Sequence, residues 1–173
     1  MEDGSRAAGR IMSGRACVLD PAAAGELEGR GYGRPEDGRL VLGDVEALYL
    51  VYAGRLEIRG STFESLLRRC EKEDPDIFAK FLIYRDLRGH GYVVRDGFGF
   101  GRDFRVYEKG RFGEKAARYI VFGMDEGGRE RIGSVHKKVV EMARMGKEPV
   151  AAVVERRGEV IYYRMNRIEF RGP

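Results

Sequence analysis

Basic side chains are concentrated around one tyrosine of the chain. Tyr107 ends the short run Phe104-Arg-Val-Tyr107, which has the composition of a strand. Four cations lie within five residues of it: Arg102, Arg105, Lys109 and Arg111. Lysine and arginine bind phosphate oxygens, so this segment can contact a phosphate-bearing polyanion, although a basic surface that meets only solvent fits the same residues. Taken alone, Tyr107 also fits a strand aromatic at the edge of a core.

Other groups able to do metal, redox or nucleotide chemistry are few. Cys17 and Cys70 are far apart and have no second pair nearby, which favours buried thiols over a zinc site or a disulfide framework. Gly97-Phe-Gly-Phe-Gly101 lacks the spacing of a nucleotide-binding loop, and a strand rather than a helix follows it. Lys147 follows a predicted helix, where the helix dipole alone favours a cation. The sequence therefore predicts neither a metal nor an organic cofactor.

Charge and hydropathy restrict the class of protein. Among the 173 residues, Lys and Arg number 32 and Asp and Glu 28, which gives a net charge of +4 and modestly favours a polyanionic partner. Apolar residues make up 43 % and charged residues 35 %, and the two are interleaved rather than separated into a run of ~18 apolar residues. The N-terminus also lacks the apolar stretch of a secretory signal. These features predict a cytoplasmic protein that has no membrane partner.

Apolar spacing and glycine positions divide the chain into three parts. Residues 1–14, which are rich in Gly, Ala and Arg, form a predicted flexible lead. Residues 15–90 alternate short strands with helices, which predicts a small mixed α/β domain. After Gly91 the pattern changes to short strands, one helix and a final hairpin. Residues 91–173 are therefore predicted to form a second α/β domain, and Val150–Val154 is apolar enough for a central strand of its mixed sheet.

Several segments of the chain resemble the archaeal tRNA-splicing endonuclease family. The longest is Tyr84-Arg-Asp-Leu-Arg-Gly-His-Gly-Tyr-Val-Val94, followed by the glycine motif above and Asp103-Phe-Arg-Val-Tyr107. Leu42–Glu57 is similar to the family's amino-terminal helix and strand, and Ala151–Glu155 with Val160–Tyr163 to its carboxy-terminal strands. The resemblance runs from about Arg15 to the C-terminus. It implies a small amino-terminal mixed domain joined to a carboxy-terminal nuclease-like α/β domain.

The resemblance implies a metal-independent cleavage of precursor tRNA at exon–intron junctions, which leaves a cyclic phosphate and a 5′ hydroxyl. In the family a Tyr is the base for the ribose 2′-OH, a His is the acid for the leaving oxygen, and a Lys stabilises charge on the phosphorane. The Tyr of the Phe-Arg-Val-Tyr strand falls on Tyr107. The Lys that follows the helix and precedes the central strand falls on Lys147.

The histidine of the family has no counterpart in this chain. It lies just before a Tyr-Leu-Val-like strand, and the matching segment Lys115–Val121 has Ala116 or Ala117 at its position. An alanine cannot donate a proton, and loss of a general acid typically lowers the rate ~10²–10⁴-fold. Of the two histidines present, His90 falls in the interdomain turn and His136 near the start of a helix. Neither aligns with the missing acid.

A second departure is Val140, which stands where family members carry an Arg that grips the flipped-out bulge base. The two losses predict a structural subunit. In the family such subunits dock through an acidic loop, which inserts between basic surfaces of the partner, and through pairing of carboxy-terminal strands. Here the loop falls on Met124–Gly128, so Asp125 and Glu126 are the predicted docking residues, although a solvated turn is the alternative. Tyr162–Phe170 is the predicted pairing strand, which also allows self-association.

We therefore predict the structural subunit of an archaeal heterotetramer of two catalytic and two structural chains. Its expected partners are a homologous catalytic endonuclease subunit and precursor tRNA, and its role is to position the catalytic chains for cleavage at exon–intron junctions. Two alternatives stay open. One is a metal-independent endoribonuclease that cuts with Tyr107, Lys147 and an acid such as His136. The other is an RNA-binding module that is unconnected with a nuclease.

Overall fold

The computed structural model describes residues 6–97, 99 and 102–170, and the chain divides into two compact units. The first is Met1–Arg85 and the second Asp86–Pro173. The division falls inside a helix, whereas the sequence pattern set the boundary just after that helix, at residue 90. Both units combine helices with a mixed sheet, so the predicted mixed α/β class is confirmed.

The first unit contains a five-stranded sheet and three helices ahead of the division. Its strands are β1 (Ala7–Met12), β2 (Arg15–Val18), β3 (Arg34–Glu36), β4 (Arg39–Leu42) and β5 (Leu56–Ile58). Its helices are α1 (Pro21–Gly29), α2 (Asp44–Tyr52) and α3 (Phe63–Glu73). The strand order is β3-β4-β2-β1-β5, and β1 pairs parallel with β5 while the other pairs are antiparallel. Helix α2 contacts β2, β5 and α3, so its fully buried Leu48 and Leu50 belong to the core of this unit.

Strand β1 differs from the predicted flexible lead over residues 1–14. It pairs with β2 on one side and with β5 on the other. A Cβ added at Gly9 would lie 3.0 Å from Leu56 Cδ1 and 3.3 Å from Ile58 Cγ1. The small residues that make this segment look unstructured in sequence are therefore the ones that let it pack closely against β5.

The second unit contains the other five-stranded sheet. Helix α4 (Ile77–Gly89) crosses the division and leads into β6 (Val93–Asp96). The remaining elements are β7 (Asp103–Tyr107), β8 (Tyr119–Asp125), α5 (Ile132–Arg144), β9 (Glu148–Val154) and β10 (Val160–Arg164). The strand order is β10-β9-β8-β7-β6, with β8 and β9 parallel and the other pairs antiparallel. Strand β9 is an interior strand, in agreement with its apolar sequence.

The two faces of this sheet have different coverings, because alternate side chains of a strand point to opposite faces. One face carries Ile120, Phe122 and Ala151, which form a buried cluster with Met142 of α5. The opposite face carries Val106, Tyr119, Val121 and Val150, which line a cavity. Phe98, Phe100 and Gly101 of the glycine motif lie outside the described residues.

The predicted carboxy-terminal strand Tyr162–Phe170 is too long. Strand β10 ends at Arg164, and residues 165–170 form no regular element. Met165 packs against the cluster beneath α5, and its backbone N–H donates to the carbonyl of Pro149 at 3.0 Å. At this partly buried residue the chain leaves the strand that its alternating sequence pattern predicts. Ile168 and Phe170 are largely exposed.

Candidate functional site

Strand direction brings three separate segments to one edge of the second sheet. Strand β7 is antiparallel to β8, and β8 is parallel to β9, so the end of β7 meets the beginnings of β8 and β9. Backbone bonds join them: Arg118 N–H donates to Val106 at 3.0 Å, and Glu148 N–H to Arg118 at 2.9 Å. We call this edge, with Tyr107, Ala116–Ala117 and Lys147, the Tyr107 edge.

Tyr107 is the last residue of β7 and is half-buried. Its ring meets that of Phe112 edge-on, with centroids 5.1 Å apart and planes at 88°. Strand alternation puts Tyr107 on the same face as Arg105, which is paired with Ile120, and thus on the face that α5 covers. The contact with Phe112 holds the Tyr107 ring at the Tyr107 edge, and the sequence did not predict this contact.

The Lys147 amine holds the segment in which the resemblance predicts a histidine. The Nζ atom donates to the carbonyl oxygen of Ala117 at 2.6 Å. Ala117 is buried, with 5 % of its surface exposed, whereas Ala116 is exposed. The backbone N–H of Lys147 donates to Met142 at 3.1 Å after the turn at Gly146, whose φ is +69°. Lys147 is thereby fixed between the end of α5 and the start of β8.

The residues that follow the three motif positions form an ion-pair network. Arg118 Nε donates to Glu148 Oε1 at 2.7 Å, and Nη1 of the same guanidinium bonds Glu108. Arg164 of β10 lies 3.4 Å from the other oxygen of Glu148. Bonds to Glu108 and Glu148 raise the pKa of Arg118, and the bond from Arg118 lowers the pKa of Glu108. Sequence reasoning missed this network.

A signal for the network does exist in the sequence. Glu108 follows Tyr107, Arg118 follows Ala117, and Glu148 follows Lys147. Once the three motif positions are expected at one edge, their immediate neighbours are expected there too. Their alternating charges then predict ion pairs across the strands.

Neither histidine within the described residues bonds to Tyr107 or Lys147. His136 is exposed in the first half of α5, which runs from the far edge of the sheet back to the Tyr107 edge. The helix from His136 to its last residue alone spans about 12 Å. His90 Nδ1 lies 2.8 Å from the carbonyl oxygen of Asp86 and 3.3 Å from its carboxylate. The structure therefore does not bring His136 into the site.

The four basic residues near Tyr107 in sequence separate in space. Lys109 and Arg111 follow β7 and lie at the Tyr107 edge, where Arg111 is 3.2 Å from Glu114. Arg105 Nε donates to the carbonyl of Asp96 at 2.7 Å. Arg102 lies at the opposite end of β7, roughly 17 Å from Tyr107 along the strand. The structure thus brings two of the four predicted RNA-binding residues to Tyr107.

Asp125 and Glu126 lie at the far edge of the sheet, opposite the Tyr107 edge. Asp125 Oδ1 is 2.5 Å from Arg102 Nη1, and the Asp125 side chain is 52 % exposed. Glu126 Oε2 accepts from the backbone N–H of Arg156 at 3.1 Å. Both predicted docking carboxylates therefore have bonds within the second unit while facing solvent.

Two further searches cover only the described part of the chain. No group of three or more His, Cys, Asp or Glu side chains there is arranged to hold a metal ion. No helix there combines the length and apolarity needed to cross a bilayer. Cys17 and Cys70 are buried thiols, as predicted.

Comparison with known proteins gives consistent matches over both units. Two family models match: "tRNA intron endonuclease, N-terminal domain" over residues 7–67, and "tRNA intron endonuclease, catalytic C-terminal domain" over 77–162. A tRNA-splicing endonuclease of Thermococcus gammatolerans is 32 % identical over 145 residues, covering 82 % of this chain and 85 % of the relative. That of Methanococcus vannielii is 32 % identical over 161 residues, covering 90 % and 91 %. That of Thermococcus onnurineus is 30 % identical over 166 residues, covering 93 % and 96 %.

Proposed function

Because the chain belongs to the tRNA intron endonuclease family, we propose that it is a non-cutting subunit that supports a homologous catalytic chain on precursor tRNA. The observation that carries this proposal is which residues occupy the Tyr107 edge and how they are bonded. Two alanines stand where the resemblance expects the acid, and the Lys147 amine is bonded to the carbonyl of Ala117 at 2.6 Å. Tyr107 and Lys147 are then family-matching residues that no histidine of the described residues contacts.

Neither Arg118 nor His136, among the residues that the structure describes, is suited to replace the histidine. Arg118 lies next to Ala117, but a guanidinium held between two carboxylates does not give up a proton near neutral pH. His136 lies in the first half of α5, and it is the last residues of that helix that reach this edge. A chain that lacks a general acid is expected to be slower by ~10²–10⁴-fold than a complete relative.

Support for an assembly role comes from the exposed parts of the second unit. Strand β10 is the last strand of its sheet, and it exposes 39 % of Ile161 and 52 % of Tyr163. An edge strand with exposed apolar side chains is suited to pairing with another chain. Asp125 and Glu126 face solvent at the far edge and stay our proposed docking residues. A heterotetramer with two catalytic chains is the assembly we propose, in the cytoplasm.

Contact with RNA is proposed for the Tyr107 edge. Lys109 is exposed there, and Arg111 is half engaged by Glu114. Both cations can neutralise phosphate charge, and this electrostatic contribution to RNA binding would weaken as the salt concentration rises. Arg102 is paired with a carboxylate and Arg105 with a carbonyl oxygen, so we expect both to contribute less to RNA binding.

Cleavage assays with and without a relative test the proposal. The purified chain should leave a bulge–helix–bulge RNA intact, and adding a relative that has all three catalytic residues should produce cleavage. Tyr107→Phe in this chain should not change the cleavage by the mixture. As a control, a relative whose own histidine is replaced by alanine should give an inactive mixture. Cleavage by this chain alone, abolished by Tyr107→Phe, would instead establish the enzyme alternative.

A further inference from the structure

A cavity of about 300 Å³ lies within the second unit, on the face of the sheet that α5 does not cover. Its floor is apolar and consists of Val106, Val121 and Val150, from three adjacent strands. The volume is within the range of sites that bind small planar ligands. It is separate from the Tyr107 side chain, which points to the other face of the sheet.

Aromatic rings from different elements form the walls. Tyr92 precedes β6, Tyr119 begins β8, and Tyr162 lies on β10. Cations lie over two of these rings: Lys109 Nζ is 5.2 Å from the centroid of Tyr92, and Arg118 Cζ is 5.1 Å from that of Tyr119. Arg118 shares its charge with two carboxylates, but Lys109 forms no ion pair within the described part of the chain. Lys109 therefore places one positive charge beside aromatic surface at the rim of the cavity.

Polar atoms at the cavity converge on Asp86. The Tyr162 hydroxyl donates to Asp86 Oδ2 at 2.7 Å, and His90 directs Nδ1 to the carbonyl oxygen of the same residue at 2.8 Å. Burial and the bond to Asp86 raise the pKa of Tyr162, so the phenol remains protonated at neutral pH. Because Nδ1 faces Asp86, His90 Nε2 is directed away from it and is available to a ligand. The site thus combines flat apolar walls with polar atoms at one end.

We propose that this cavity binds one unpaired nucleobase of an RNA. Aromatic walls stack any base on its π-face, and a neighbouring cation attracts the phosphate attached to it. The second unit carries 19 Lys and Arg residues against 13 Asp and Glu residues, which favours a polyanionic ligand. An apolar side chain of a partner protein would fill the floor but would gain nothing from the Lys109 ammonium group. The choice of RNA as the ligand rests on the proposed function.

Fluorescence of 2-aminopurine tests the proposal on the full chain alone. The probes are two RNA hairpins of the same length, with the 2-aminopurine either in a bulge or in the paired stem. The bulged probe should lose fluorescence on binding, because its base stacks on tyrosine, while the paired probe should not. Tyr92→Leu and Tyr119→Leu should each weaken binding of the bulged probe by roughly 5- to 150-fold.

Matched variants separate base binding from general effects. Tyr52→Leu is the control, because Tyr52 is an exposed tyrosine of the first unit that also has a cation, Arg85, 5.9 Å from its ring. It should leave binding unchanged. Thermal unfolding followed by circular dichroism establishes that each variant is folded, and Tyr162→Phe, which keeps the ring, provides a third variant if a leucine variant unfolds. It should weaken binding by removing the bond to Asp86.

Two results would overturn the proposal. One is binding of the bulged probe that folded Tyr92→Leu, Tyr119→Leu and Tyr162→Phe chains all retain. The other is normal RNA binding by these variants together with weaker association with a catalytic relative, which would make the cavity a site for a protein side chain. Association with a catalytic relative is measured separately. The fluorescence assay contains no catalytic chain and measures no cleavage, so its outcome is independent of whether this chain cuts RNA.

Discussion

Replacing Lys147 by methionine separates a structural from a catalytic role of this residue. Methionine keeps an unbranched apolar stem but removes the ammonium group that bonds the carbonyl of Ala117 at 2.6 Å. If Lys147 serves only to hold the segment before β8, the variant should be less stable. When mixed with a catalytic relative, the variant should support the same cleavage rate as the unchanged chain does.

The size of the stability loss follows from the burial of the two groups. A hydrogen bond that involves a charged group typically contributes about 1.5–3 kcal/mol. Ala117 is buried, but Lys147 is only half-buried, so solvent replaces part of the lost bond and we expect about 1–2 kcal/mol. For a unit of this size, 1 kcal/mol corresponds to about 4–8 °C in the unfolding midpoint. The midpoint should therefore fall by about 4–16 °C.

Urea and thermal unfolding followed by circular dichroism measure this loss. Lys137→Met is the matched control, because Lys137 is an exposed lysine of α5 and its loss changes the net charge equally. We expect the control to stay within about 0.5 kcal/mol of the unchanged chain. Both variants should support the same cleavage rate when mixed with a catalytic relative.

The structural reasoning would be refuted by the opposite pattern. That pattern is a Lys147→Met chain with unaltered unfolding free energy whose mixture cleaves ~10²-fold more slowly, the size typical of a lost electrostatic contact in a transition state. Lys147 would then act on RNA, and its bond to Ala117 would be incidental.

Three further outcomes are expected. Ala116→His should be tolerated, because Ala116 is exposed, and should raise unaided cleavage by up to ~10²–10⁴-fold. Ala117→His should lower the free energy of unfolding by about 1–3 kcal/mol, because Ala117 is buried and the larger ring overpacks its site. No gain in cleavage from Ala116→His would contradict the missing-acid explanation. Met142→Ala should lower the unfolding free energy by about 2–5 kcal/mol in urea titration, because Met142 is fully buried against Ile120 and Phe122; a loss below ~1 kcal/mol would contradict the packing described. Burial raises the pKa of Cys70 from 9.0 to about 11, so at pH 8 this thiol should react with a thiol reagent only after unfolding, and rapid labelling of the native chain would contradict its burial.

Part of the candidate site could be predicted from sequence, because motif order suggests which residue falls on each family position. The assignments of Tyr107 and Lys147, and of a missing histidine at Ala116 or Ala117, are predictions from such matching and use no distance. Sequence could not choose between Ala116 and Ala117, since alternation of exposure near a strand start depends on the register of β8 with its neighbours. The structure shows that Ala117 is buried and Ala116 is exposed.

The sequence by itself determined the mixed α/β class and the interior position of β9, because local periodicity and residue identity suffice for these. That no acid aligns with the family's histidine stays a prediction. Tertiary structure alone decided that Lys147 bonds Ala117, that Arg118 joins Glu108 to Glu148, and that β1 belongs to a sheet. These contacts join residues that are about ten to fifty positions apart, and only the direction and register of paired strands bring such residues together.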